Sequence, residues 1–313
     1  MQFSTKVPIA KNNHPIDYQS GIVSLGSCFA ENIGAKFDYF KFQNSVNPFG
    51  IIFNPVAIEK LVTRAVNQQS FTEKDIFFHN DLWHCYEVHS VLSHPDKATF
   101  LANLNQKVSD FHLQIFKSTH CLITYGTSWV YKGKTSNEVV ANCHKVPQNQ
   151  FEKEILSVST IEHSIQNTLN LIRKLNPVCQ VIFTVSPVRH LKDGFAENQR
   201  SKAHLIAAIH HSQFTLHHYF PSYEIVMDEL RDYRFYAEDM LHPNQIAIDY
   251  IWERFAATHI AEHSFPVMAE VDTIQKGLAH RPFNPDTESH QKFLSNLNQK
   301  IIKLQEQFPQ LQF

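Results

Sequence analysis

The chain has 313 residues, of which 43% are hydrophobic and 12% aromatic, including 25 phenylalanines, so a large core can be built and wholesale disorder is excluded. Lys plus Arg number 28 against 30 for Asp plus Glu, a formal net charge of −2. With no basic surplus to neutralise phosphates, no nucleic-acid partner is expected. The eight glycines form neither Gly-x-Gly-x-x-Gly nor Gly-x-x-x-x-Gly-Lys, and no cofactor is expected.

In chain order, Gly21 to Gly26 is a short apolar run ending in glycine, and Phe29 to Phe37 continues as helix: a buried strand, a tight turn and a helix. Residues 81–92 alternate like an added strand, read as part of a small β insertion near 78–95. Helical spacing of Phe100, Leu104, Val108, Phe111 and Ile115 predicts a helix over 99–117. A second strand is read at 121–127 and a hairpin near 129–143. Residues 160–175 read as a helix ended by Asn176-Pro177, and 180–187 as a third strand stopped by Pro187. Residues 197–220 continue the helical alternation. Glu224 to Asp228 is a fourth, shorter strand candidate, and 243–260 is a helix with Pro243 suited to its first turn. Strands buried on both faces and separated by helices imply an α/β fold with a mostly parallel sheet and helices on both sides. From residue 261 the chain reads as a helical extension of a domain spanning 1–260, with Phe293, Leu297, Ile301 and Leu304 as an apolar stripe.

Five cysteines at wide spacings, with no Cys-x-x-Cys, point to neither a disulfide framework nor a zinc site. Twenty histidines include His84, His89, His94 and the doublets His210-His211 and His217-His218. No metal-binding spacing occurs, and solvated surface histidines are expected. The first residues lack an apolar signal and no run of about 18 apolar residues occurs, so a cytoplasmic protein without a membrane partner is expected.

Two places carry chemistry. Gly26-Ser27-Cys28 ends the first strand, where α/β sheets place ligands and helix N-termini offer N–H groups to an oxyanion. Ser27 there reads either as a helix N-cap or as a nucleophile. The second place is Asp239-Met240-Leu241-His242-Pro243. A carboxylate three residues before a histidine can hold the imidazole's tautomer while the other nitrogen serves as a base.

Gly26-Ser27-Cys28-Phe29-Ala30 resembles the motif of the GSCFA family of bacterial proteins. Further likenesses are Asn47-Pro48-Phe49-Gly50, Asn142-Cys143-His144-Lys145, the stretch Thr184 to His190, Asn198 to Ala203, and Leu230 to Tyr236, together covering roughly residues 20–257. That family resembles the SGNH/GDSL hydrolases. The resemblance implies a three-layer α/β/α sandwich of flavodoxin-like type, a nucleophile at Ser27, and Asp239 and His242 completing a triad. It also implies an oxyanion hole from the Ser27 N–H and the Gly50 N–H. The Asn of a Gly-x-Asn-Asp block is replaced here by Tyr125-Gly126-Thr127-Ser128-Trp129, so the third donor is expected from Thr127, beside Gly126, or from Asn142. His144 and Arg189 either bind an anionic substrate group or support the site. Cys28 is the better intrinsic nucleophile, but its side chain is expected to point away. The expected function is hydrolysis of a small-molecule or carbohydrate ester, with acyl transfer to a sugar hydroxyl and ligand binding without catalysis as alternatives.

Overall fold

Strand β1 (Gly21–Gly26) is aliphatic and buried from Ile22 onward, as a central parallel strand must be. A computed structural model describes residues 5–211 and 217–313 of the chain. Helix α1 (Cys28–Tyr39) leads to β2 (Gln43–Val46), and α2 (Pro55–Val66) precedes a hairpin of β3 (Phe77–His79) and β4 (Leu82–His84). Next come α3 (Lys97–Lys117), β5 (His120–Tyr125), β6 (Trp129–Gly133), β7 (Val139–Val140) and β8 (Phe151–Ile155). The chain continues through α4 (Val158–Leu175), β9 (Gln180–Val185), α5 (Phe195–His211), β10 (His217–Phe220) and a single turn, α6 (Ser222–Glu224). It finishes with α7 (Gln245–His259), α8 (Phe265–Ala279) and α9 (Glu288–Gln307).

Five strands form one parallel sheet in the order β10-β9-β5-β1-β2. Its register sets Gly26 beside Thr124 and Thr124 beside Thr184, so the carboxyl ends of the three central strands lie level. Alternate strand residues feed two cores, as a period of two requires. Val23, Leu25, Cys121, Ile123, Val181 and Phe183 pack with α2, α3, α4 and α5. Ile22, Leu122 and Ile182 pack with α1, α7, α8 and α9, including Leu297 and Leu304 of the apolar stripe. The C-terminal helices therefore dock on the second core. β6, β7 and β8 form a separate antiparallel sheet in the order β7-β6-β8.

Several expectations are corrected. Glu224 to Asp228 is not a strand: α6 passes into a π-helical turn, Ile225–Glu229, that buries Ile225 and Val226 in the second core. Such a short apolar run has no periodicity to separate strand from buried helix. The sheet's outer strand is instead β10, inside the stretch read as helix 197–220; that stretch is helical only to His211 in the described residues, and 212–216 lie outside them. Of 81–92 only Leu82–His84 is strand, paired with β3 across Asn80 and Asp81, both at positive φ. Pro243 precedes the helix, which Asn244 caps by accepting from the Ala247 N–H at 3.1 Å.

Candidate active site

The first strand turns into α1 at a backbone that only glycine tolerates well. Gly26 has φ +135°, and a Cβ there would sit 2.1 Å from the Thr124 carbonyl oxygen. Asn47 braces this turn: its Oδ1 accepts from the Gly26 N–H at 2.8 Å and its own N–H donates to the Ser24 carbonyl at 2.9 Å. Ser27 is the N-cap of α1, with Oγ accepting from the Phe29 N–H at 3.2 Å, and it is only 2% exposed. Its N–H donates to the Thr124 carbonyl at 3.2 Å. Cys28, the first helical residue, is partly exposed.

Asp239 and His242 sit on a loop closed by the Ala237 N–H on the His242 carbonyl at 2.7 Å, with Met240 at φ +59°. Asp239 Oδ2 meets His242 Nδ1 at 2.6 Å, while Oδ1 accepts from the Leu241 and His242 N–H groups at 2.9 and 3.0 Å. Those N–H donors and the imidazole hold the Asp239 carboxyl at about 2, so it stays ionised and fixes the ring with Nε2 left for chemistry. The Arg189 N–H reaches the Leu241 carbonyl at 3.3 Å and ties this loop to the one after β9. The Arg189 guanidinium lies over the Tyr236 ring at 4.3 Å and donates to the Tyr233 hydroxyl at 3.3 Å.

A cleft of ≈ 620 Å³ over the strand ends brings these groups together: Ser27, Cys28, Thr127, Asn142, Arg189 and His242 all line it. Trp129 and Tyr131 from β6, Lys153 from β8, and His190 complete its walls. Thr127 Oγ1 is already engaged, accepting from the Trp129 N–H at 3.1 Å and meeting Ser201 Oγ at 2.8 Å. Asn142 Oδ1 accepts from the His144 N–H at 2.8 Å, which leaves its Nδ2 as a donor.

Three expected residues lie elsewhere. Gly50 is outside the cleft lining and its N–H donates to the Asn47 carbonyl at 2.8 Å. Gly126 is structural: its N–H donates to the Phe53 carbonyl at 2.8 Å. His144 is buried behind the hairpin on the Cys85 carbonyl at 2.7 Å, and burial pushes its pKa down to about 4. It is not among the residues that line the cleft.

Sequence reasoning gave no role to the cation beneath the site. Lys202 on α5 is 1% exposed, and its Nζ donates to the Gly126 carbonyl at 2.6 Å and the Ser186 carbonyl at 2.7 Å, stapling the ends of β5 and β9. Burial lowers its pKa to about 7. A lysine on a helix facing a sheet is the sequence signal, because such a buried charge needs partners at the strand ends. His190, stacked on Phe53, is likewise pushed down to about 3 by burial, then by Lys202 and His242. Among the described residues no group of three metal-ligating side chains gathers, and no helix is long and apolar enough to cross a membrane.

No curated protein matches the chain. The model of the GSCFA family matches residues 21–255, and that of the GSCFA domain protein, C-terminal domain, matches residues 271–313. With most of its length covered, from the start of β1 into α7, the chain belongs to the GSCFA family.

Proposed function

We propose that this chain is an SGNH-type hydrolase of ester bonds. The observation that carries the reading is the Asp239–His242 pair, 2.6 Å apart, opening onto the same cleft as the Ser27-Cys28 turn. Asp239 holds the imidazole so that Nε2 takes the proton of a nucleophile from that turn, and the imidazolium then protonates the leaving alcohol. A water deprotonated by the same nitrogen releases the acyl group. Asn142 Nδ2 supplies one donor to the tetrahedral oxyanion, a role whose loss typically costs about 2.7–4 kcal/mol of barrier. The rings of Trp129 and Tyr131 and the amides of Asn54 and Asn142 in the walls suit a sugar, so the preferred substrate class is a carbohydrate O-acyl ester.

The test is release of acid from a panel of acetylated sugars and activated acyl esters. Asp239→Asn should keep its fold yet lose about 10³–10⁴-fold in turnover, because the wrong tautomer is then favoured. His242→Ala should lose at least as much. A panel on which the intact chain hydrolyses nothing faster than His242→Ala would remove the hydrolase reading.

A further inference from the structure

The β1–α1 turn contains two nucleophiles in succession, and the fold gives them different surroundings. Ser27 Oγ accepts from the Phe29 N–H, the Ser27 N–H is spent on the Thr124 carbonyl, and the residue is 2% exposed. To attack a substrate, that hydroxyl would have to give up the bond that starts α1. Cys28 carries no cap, is partly exposed, and lines the cleft with His242. Lys202 Nζ is held nearby by two carbonyls at the strand ends. We infer that Cys28 Sγ, not Ser27 Oγ, is the attacking atom, with His242 as its base and Ser27 as the cap that aims it. The inference rests on the hydrolase reading above and names its nucleophile.

The electrostatics fit a thiol activated on demand. Burial and then Glu31 push the Cys28 pKa up, against the opposing pull of the Phe29 and Cys28 N–H groups and of Lys202. The resting sulfur therefore keeps its proton and needs a base, as a thiolate-forming pair does not. In the first half-reaction the thiol proton passes to His242 Nε2 as the S–C bond forms and the carbonyl π pair moves to oxygen. Collapse of the tetrahedral adduct breaks the C–O bond, and the alcohol leaves with the proton from His242, giving a thioester. Water then gives a proton to His242, adds to the thioester carbonyl, and expels the sulfur, which recovers the proton. The sum is ester plus water to acid plus alcohol.

Two measurements on the full chain test this. First, the acyl-enzyme formed with 4-nitrophenyl acetate is quenched in acid and located by peptide mass spectrometry. The expected adduct is on Cys28, cleaved by neutral hydroxylamine as a thioester and lost in Cys28→Ala. An oxygen ester on Ser27 that resists neutral hydroxylamine would overturn the assignment while leaving the hydrolase reading standing. No adduct on either residue, together with no turnover across the ester panel, would remove both. Second, alkylation by iodoacetamide reads the coupling without any ester. At near-neutral pH the Cys28 rate should fall about tenfold or more in His242→Ala, while that of Cys143, partly exposed in the same cleft, should not change. An unchanged Cys28 rate in His242→Ala would mean that the imidazole does not serve this thiol, and would overturn the inference.

Discussion

At residue 26 the backbone leaves no room for choice. Its φ of +135° and the Thr124 carbonyl 2.1 Å from any added Cβ mean that Gly26→Ala must strain the turn and push apart β1 and β5. Positive-φ strain and overpacking each cost about 1–3 kcal/mol, so a combined loss of about 2–6 kcal/mol is expected in urea unfolding, with the Asn47 bond to residue 26 disturbed as well. A loss under about 0.5 kcal/mol, the size of an ordinary surface change, would show that the turn relaxes freely. This glycine was legible in the sequence because it ends an apolar run and precedes a helix. Asp239 and His242 were legible as a pair because three residues on a tight loop can bring them together. Which of Ser27 and Cys28 is spent on the cap and which stays partly exposed was not legible, since it depends on where the first helical turn begins. The place of Gly50 was not legible either: its N–H closes its own turn on Asn47.

Among the elements, β1, β5 and β9 were legible because each is a continuous apolar run buried on both faces. Edge strands were not. β2 reads Gln-Asn-Ser-Val and β10 begins with two histidines, so neither shows the apolar run of a central strand. The stripe of α9 was visible at helical spacing, but the surface it covers was not, because that surface belongs to a core gathered from distant segments and is met through α8. Leu297 and Leu304 are 7% and 1% exposed, and α8 comes so close that a Cβ on Gly277 would lie 2.7 Å from Leu297 Cδ1. The extension thus shares the second core. Leu304→Ala should cost about 2–5 kcal/mol of the stability of the whole chain, whereas Ile302→Ala on the exposed face should stay within about 0.5 kcal/mol. Urea unfolding followed by both tryptophan fluorescence and circular dichroism should lose stability in one coincident transition. A separate early transition in Leu304→Ala would show that the last helices melt on their own.

For the molecule as a whole, acid is the weak side, because the histidines read from the sequence as solvated are in part core residues. His259 is 2% exposed, stacked on Phe255 at 4.6 Å and edge-on to Phe220, and burial, followed by His218 and His120, pushes its pKa down to about 3. His120, 3% exposed with Nε2 at 2.8 Å from the His14 carbonyl, is lowered by burial too, and so is His218. The His14 carbonyl and then Asp17 work in the other direction on His120, as the Phe255 carbonyl does on His259. An unfolded histidine takes up its proton near pH 6.5, so below that pH the unfolded chain binds protons that the folded chain refuses. Stability is therefore complete above about pH 6.5 and falls as pH drops toward the folded values, by up to about 1.4 kcal/mol per pH unit for each fully buried ring. His259→Phe keeps the aromatic stack and removes the titrating group. Between about pH 6 and pH 4 its unfolding free energy should fall less steeply than that of the unaltered chain, by about 1 kcal/mol per pH unit, while the two curves run parallel above pH 7. Parallel curves over the acid range as well would mean that His259 is protonated in the folded state and that the second core admits a charge.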